Sequence, residues 1–332
     1  MKNFAYTRPR SLGDATEAAG NDGAQIIAGG TTMVDLMKIG VLAPETLVDI
    51  TGLGDLEGHA VGTDALQFGA LARMSKVADD PAVIEAFPAL SEALWKAASP
   101  QLRNAATLGG NILQRTRCPY FRDTAYAQCN KRDPGSGCAA LDGGKTSHHA
   151  ILGGSEACVA MYPGDFAQTL VAFDAQVMTR GPGGTRTIPF AELHLLPGDT
   201  PHVETVLEPG EIVTAITLPR IPAMANSHYL KARDRESYAF AAASAAVGVE
   251  MDGDTVRDVR IGLGGVAATP WRARAAEDAL RGGPLNEETA REAGRIAFEE
   301  AVPLEGSAYK MPLGADVVAG ALLTVKSRIG GE

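Results

Sequence analysis

Apolar and polar positions along the first fifty residues alternate in two short cycles of strand and helix. The pattern predicts an extended segment at 4–6, a helix over 11–19, a strand at 24–28, a helix over 32–39 and a closing strand at 47–50. Ser11 is placed to cap the first helix with Asp14 three residues on, and Gly20 suits the position past its end. Residues 1–54 therefore form a first small α/β subdomain. From 66 the alternation resumes, with a strand at 66–70, amphipathic helices near 76–78 and 83–97, a glycine-rich segment at 106–111 and a β-rich stretch over 173–218. This predicts a second α/β subdomain over 55–222, interrupted by a cysteine-bearing loop at 115–160. The proline-rich passage 218–222 reads as a linker. Beyond it, strand signals at 231–261 and two helical patterns over 273–302, split by Gly282, Gly283 and Pro284, predict an α+β C-terminal domain over 223–332. No internal repeat or low-complexity tract is evident, and the fold class expected is α+β.

Composition narrows the function. With 332 residues, 45% hydrophobic and 21% charged, the chain can bury an ordinary core and is neither fibrous nor disordered. A net charge of −10 argues against a surface that tracks nucleic-acid phosphates. No apolar run approaches the roughly 18–20 residues that span a bilayer, so no membrane span is expected and the chain reads as soluble. The opening MKNFAYTRPR lacks the apolar core of a secretory signal. The expected location is periplasmic if a signal-bearing partner exports the chain, and otherwise cytoplasmic.

Two glycine turns stand out. Ile26, Ile27 and Ala28 run into Gly29 and Gly30, followed by Thr31, Thr32 and Met33 at a helix start; Thr107 and Leu108 lead into Gly109, Gly110 and Asn111. Glycine lets backbone approach a ligand closely, and free N–H groups at a strand-to-helix turn favour phosphate. Two such turns could grip a dinucleotide from opposite sides. Ordinary tight turns explain isolated Gly–Gly pairs equally well. Neither GxGxxG nor GxxxxGK[ST] surrounds them, which excludes the usual Rossmann and P-loop solutions.

The only cysteines, Cys118, Cys129, Cys138 and Cys158, fall within residues 118–158. Two disulfides would require an oxidising compartment. Structural zinc usually draws on C-x₂₋₄-C knuckles, whereas the gaps here are ten, eight and nineteen residues. A [4Fe–4S] cluster tolerates varied spacing, and the Cys118-Pro119 pair is of the kind found in ferredoxin ligation. Arg115, Arg117, Arg122, Lys131 and Arg132 accompany the segment, either to balance a negative cluster or as a solvated loop face. Ser147, His148 and His149 are adjacent in sequence, do not make a triad, and read as loop.

The strings IIAGGTTMVDLMK (26–38), QLRNAATLGGNILQRTRCPYF (101–121), CNKRDPGSGCAAL (129–141) and SEAC (155–158) resemble the FAD-binding subunits of bacterial molybdenum aldehyde oxidoreductases in the xanthine oxidase family, the periplasmic type above all. KARDRESYAFAAAS (231–244) and GLGGVAATPWRARAAE (262–277) extend the resemblance over nearly the whole chain. It implies a p-cresol methylhydroxylase-type FAD fold, two α/β subdomains clasping FAD beneath the C-terminal domain. It also implies that 26–33 wrap the pyrophosphate and part of the flavin, that Thr107, Gly109, Gly110 and Asn111 form a second clamp, and that Asp165 lies near the cofactor. Ile212 and Lys231 match positions lining the isoalloxazine. By residue type alone, Asp165 suits an N-cap and Lys231 a surface position. The resemblance further implies that the four cysteines hold one [4Fe–4S] cluster.

Function follows from the same likeness. A large subunit with a molybdenum cofactor would oxidise aldehydes to carboxylic acids, a small subunit with two [2Fe–2S] centres would relay the electrons, and this chain would pass them through FAD to an external acceptor, in a heterotrimer. A 4-hydroxybenzoyl-CoA reductase-like or xanthine dehydrogenase-like flavin subunit is the alternative within the family, the reductase having a differently spaced cysteine insertion. From another class, the chain could be a metal-stapled bridging subunit without flavin.

Overall fold

A computed structural model describes residues 1–330. Strands β1 (Ala5–Thr7), β2 (Ala24–Ile27) and β3 (Thr46–Asp49) form a parallel sheet in the order β1-β3-β2. The crossover helix Leu12–Ala19 begins where the Ser11 hydroxyl accepts the Asp14 N–H at 3.1 Å, and it buries Ala15 and Ala19 against Val48 and Ile50. A parallel pair needs such a crossover to reverse direction.

The second sheet holds β4 (His59–Val61), β5 (Ala65–Gly69), β6 (Gln176–Gly181), β7 (Gly184–Pro189) and β8 (Ile212–Pro219), in the order β4-β5-β8-β6-β7 and antiparallel throughout. Helices and the cysteine segment are inserted between β5 and β6. The helix predicted over 83–97 is two, Pro81–Ala86 and Pro88–Lys96, because Pro88 cannot donate to the turn before it and drives Phe87 out of helical geometry.

The third sheet, β12-β11-β10-β9, is antiparallel: β9 (Ser227–Ala232), β10 (Ala243–Asp252), β11 (Thr255–Gly264) and β12 (Trp271–Arg272). Helices Arg274–Leu280 and Glu287–Ile296 occupy the two patterns read at 273–302. A 21-residue helix, Lys310–Gly330, lies outside any predicted element; its Val317, Val318, Ala321, Leu322 and Val325 are buried against this sheet. Its many small residues dilute the helical pattern.

The fully buried helix Phe166–Ala172 packs on the third sheet and shares one hydrophobic core with the second. A Cβ on Gly262 would overlap the Gln168 carbonyl, and one on Gly264 the Gln168 amide, so the GLGG string is what lets helix and β11 meet. The passage expected as a linker, 218–222, leaves the end of β8 with Pro219, Arg220 and Pro222 exposed; just beyond it Ala223 and Met224 are wholly buried, and Gly248 admits the Ala223 carbonyl. No described helix is long and apolar enough to cross a membrane.

Candidate cofactor site and cysteine segment

At the end of β2 the chain makes a turn over 28–32 before the helix Met33–Lys38. Gly30 has φ +70, which an L side chain resists, and a Cβ on Gly29 would overlap the Ala105 carbonyl. The first turn is thus pressed against the segment leading to the second. Among the described residues, the N–H groups of Gly29, Gly30, Thr31, Thr32 and Met33 find no hydrogen-bond acceptor. Five successive free donors make a nest for an anion.

The second turn is different. Its N–H groups are consumed within the protein: Leu108 donates to the Ala72 carbonyl at 3.0 Å, Gly109 to Ala70 at 2.9 Å, Gly110 to the Thr107 hydroxyl at 3.2 Å and Asn111 to the Thr107 carbonyl at 2.8 Å. Gly109 is required because a Cβ there would meet Ala70 at 2.9 Å. This turn contributes shape and one polar atom, the buried Asn111 Oδ1, which has no protein partner.

Two adjoining cavities meet at Thr31, Thr32 and Gly110. The smaller, about 190 Å³, is lined by Ile26, Ala28, Gly29, Gly30, Met33, Thr107, Gly109 and Ile212 among others. The larger, about 890 Å³, reaches Asn111 and Asp165 and is walled on one side by Arg117, Cys118 and Arg122. Ile27 lines neither cavity and lies instead beside Gly30, and Lys231 also lines neither. Ile212 and Lys231, both expected at one flavin ring, stand at different places.

Lys231 lies behind Asp165. Its ammonium donates to Asp165 Oδ2 at 2.8 Å and to the Lys96 carbonyl at 3.0 Å, with its side chain 1% exposed. Tyr229 donates to Asp165 Oδ1 at 2.5 Å. Burial, with the Asp165 charge beside it, holds the Tyr229 hydroxyl well above its usual range, so it stays a donor. Asp165 stands just before the helix Phe166–Ala172 and makes no capping bond. It is a pinned carboxylate at the cavity wall, and Lys231 is no surface lysine.

In the cysteine segment, Cys118 precedes the short helix Pro119–Arg122, its sulfur 3.3 Å from His149 Nε2. Burial pushes the Cys118 thiol up to about 12, and that of Cys158 up as well, with neighbouring cysteine sulfurs adding to both. Cys129 faces Cys138 across an antiparallel bridge. Among the described residues no three His, Cys, Asp or Glu side chains are drawn together to share one metal ion. A zinc centre, whose ligands crowd at about 2.3 Å from one ion, has no preformed site here. The thiols can serve a larger polynuclear group, for which their donor chemistry is right.

All five basic residues have partners within the protein. Arg115 and Lys131 both reach Glu204 at 2.8 Å, Arg122 forks onto Asp35 at 2.8 and 3.0 Å, and Arg132 holds the Tyr120 and Phe121 carbonyls. Arg117 has no described ion-pair partner; it donates to the Arg115 carbonyl at 3.3 Å and borders the large cavity with Phe240 5.3 Å from its guanidinium. The Arg122–Asp35 fork ties the cysteine segment to the helix that follows the first glycine turn. His149, in the loop read as uninvolved, is buried against Cys118, and only its pairing with a distant residue makes it visible.

Residues 2–221 match the family described as FAD binding domain in molybdopterin dehydrogenase, and 227–325 match the CO dehydrogenase flavoprotein C-terminal domain. The chain belongs to the FAD-binding subunits of the molybdenum-containing xanthine oxidase family. Over 331 residues it is 43% identical to the aldehyde oxidoreductase FAD-binding subunit PaoB of Escherichia coli, covering 99% of this chain and 100% of that one. It is 28% identical to the carbon monoxide dehydrogenase medium chain of Hydrogenophaga pseudoflava over 96% of each. A solved carbon monoxide dehydrogenase structure from that organism superimposes with a TM-score of 0.77, at 27% identity and 98% coverage of both chains. As a member of an FAD-binding family, the chain leaves the flavin-free bridging reading without support. The α+β class and the flavin-subunit assignment read from the sequence both stand.

The residues present fit FAD. Free N–H groups at 29–33 supply what a pyrophosphate needs, Asn111, whose Oδ1 has no protein partner, lines the same cleft, and the adjoining cavities provide length for a dinucleotide.

Proposed function

We propose that this flavin subunit serves a molybdenum aldehyde oxidoreductase, with its pyrophosphate site at the N–H groups of 29–33. Those five free donors are the observation that carries the placement. When bound, FAD collects electrons delivered singly and returns them to an external acceptor. This chain's own residues bind and orient: Gly29 and Gly30 shape the nest, Thr107, Gly109, Gly110 and Asn111 close the opposite side, and Asp165, pinned by Tyr229 and Lys231, presents a fixed acceptor at the wall of the larger cavity. Ile212 lines the small cavity. Full-length similarity to an aldehyde oxidoreductase subunit supports aldehyde as the substrate class, oxidised on a separate large subunit that carries molybdenum. A small [2Fe–2S] subunit completes the heterotrimer, and the compartment follows any export signal on a partner.

Cys118, Cys129, Cys138 and Cys158 are the ligands we assign to one [4Fe–4S] cluster. The grouping of the chain's whole cysteine complement in one segment supports this, and Arg132 and Asn130 brace the loop that carries them. Anaerobically purified chain should show flavin absorption and about four irons and four sulfides per chain. It should oxidise no aldehyde until the molybdenum and [2Fe–2S] subunits are added. A colourless chain would overturn the flavin placement; stoichiometric zinc without iron would overturn the cluster; turnover by the chain alone would overturn the division of labour.

A further inference from the structure

Two of the four cysteines stand in a relation to each other that the other two do not share. Cys129 and Cys138 are partners in an isolated antiparallel bridge. Asn130 N–H donates to the Gly137 carbonyl at 2.7 Å and Ala139 N–H to the Gln128 carbonyl at 3.0 Å. These bonds flank the cysteines, which exchange none, so Cys129 and Cys138 form a non-hydrogen-bonded pair. In such pairs the Cα atoms lie about 4.5 Å apart and the side chains leave the ribbon on the same face. That separation falls inside the roughly 4.4–6.8 Å window that disulfides span.

Side chains within the segment hold this register. Ser136 Oγ accepts the Cys129 N–H at 3.0 Å and donates to the Asp133 carbonyl at 2.7 Å. Asn130 Oδ1 accepts the Gly137 N–H at 2.8 Å, and its amide donates to the Ala157 carbonyl at 3.0 Å. Gly137, at φ +96, turns the chain back as few other residues could. Cys118 and Cys158 have no comparable partner: the first lies against His149 before a short helix, and the second sits in the turn after Ser155, whose hydroxyl accepts its N–H at 3.2 Å.

We infer that Cys129 and Cys138 are a disulfide site: in chain without a cluster, a small-molecule disulfide oxidises this pair and leaves Cys118 and Cys158 as thiols. The exchange balances. One cysteine thiolate attacks the small disulfide and releases one small thiol; the second attacks the resulting mixed disulfide at the protein sulfur and releases the other. The pair loses two electrons and two protons, and the oxidant becomes two thiols. Half of the assigned cluster ligands are then withdrawn reversibly. Cluster loading must therefore precede exposure to an oxidising compartment. The pairing rests on backbone register alone, and only this consequence rests on the proposed cluster.

The test uses the full-length chain, stripped of iron by chelator under reductant, desalted, and exposed to oxidised glutathione. Free thiols are alkylated with iodoacetamide and the unreduced digest is mapped by mass spectrometry. One linkage, Cys129 to Cys138, with Cys118 and Cys158 alkylated, is the expected result, and Cys118→Ser should leave it in place. Reconstitution with ferrous iron and sulfide should fall at least several-fold in the oxidised chain and recover after dithiothreitol. A linkage through Cys118 or Cys158, glutathione retained on Cys129 or Cys138, or four alkylated thiols would overturn the pairing. If the linkage forms and iron loading is unaffected, the pairing stands and the cluster ligand set is what fails.

Discussion

The glycine turn at 28–33 and the cysteine segment at 115–160 wall the same cleft, yet they offer it opposite kinds of chemistry. The turn works through backbone: its useful atoms are N–H groups, and its side chains matter chiefly where they are missing, at Gly29 and Gly30. The cysteine segment works through side chains, held by a frame of ion pairs and backbone bonds that reach Glu204 and Asp35. A backbone site tolerates sequence change wherever its φ angles and close contacts survive, whereas a thiol site tolerates none at its ligands. The Arg122–Asp35 fork is a direct tie between them.

The sharpest way to break this comparison is a crossed pair of substitutions. Cys138→Ser should remove nearly all iron and keep flavin; Gly30→Val should do the reverse. Valine at φ +70 is strained and presses on Val34, whose Cγ2 would lie 3.3 Å from the new Cβ. Iron and flavin are counted on the same preparations. If both cofactors fall together in each variant, the two regions are one cooperative unit.

Next in size is Lys231→Met, which leaves the Asp165 carboxylate buried against Tyr229 without its cation. Breaking a buried pair from one side costs about 3–5 kcal/mol, here read as a lowered urea midpoint. Because the pair's hydrogen bonds run to Tyr229 and Lys96 and to no cysteine, iron content per folded chain should hold. Loss of iron with no loss of stability would place Lys231 on the cysteine side of the comparison.

A smaller effect is expected in acid. His194 lies against the helix of the second glycine turn, its Nε2 2.9 Å from the Ile112 carbonyl and its Nδ1 buried without a partner. Burial pushes it down to about 4, against an unfolded value of about 6.5. As pH falls through 6.5 the unfolded chain takes up a proton that the folded chain refuses, so stability drops until about pH 4 and then levels. The loss is on the order of 3 kcal/mol. His194→Gln should flatten this part of the stability profile; an unchanged slope would show that other groups cause it.

The sequence by itself determined the class and the parts. Strand and helix periodicity marked most elements, glycine after an apolar strand marked the turn whose N–H groups are free, and four clustered cysteines marked the segment that walls the same cleft. These are short-range signals, carried by residues within a few positions of one another. They misled where a local pattern had two causes. Gly109 and Gly110 read as a second phosphate turn, and their N–H groups are spent on Ala70 and Thr107; the broken helix at Phe87 is of the same kind. Tertiary structure alone decided that Lys231 belongs to Asp165 rather than to solvent, that His149 touches Cys118, that Arg117 has no ion-pair partner among the described residues, and that Cys129 faces Cys138. Each depends on how the folded chain brings separate segments together, and no side chain's composition or spacing records which distant partner will remove it from water.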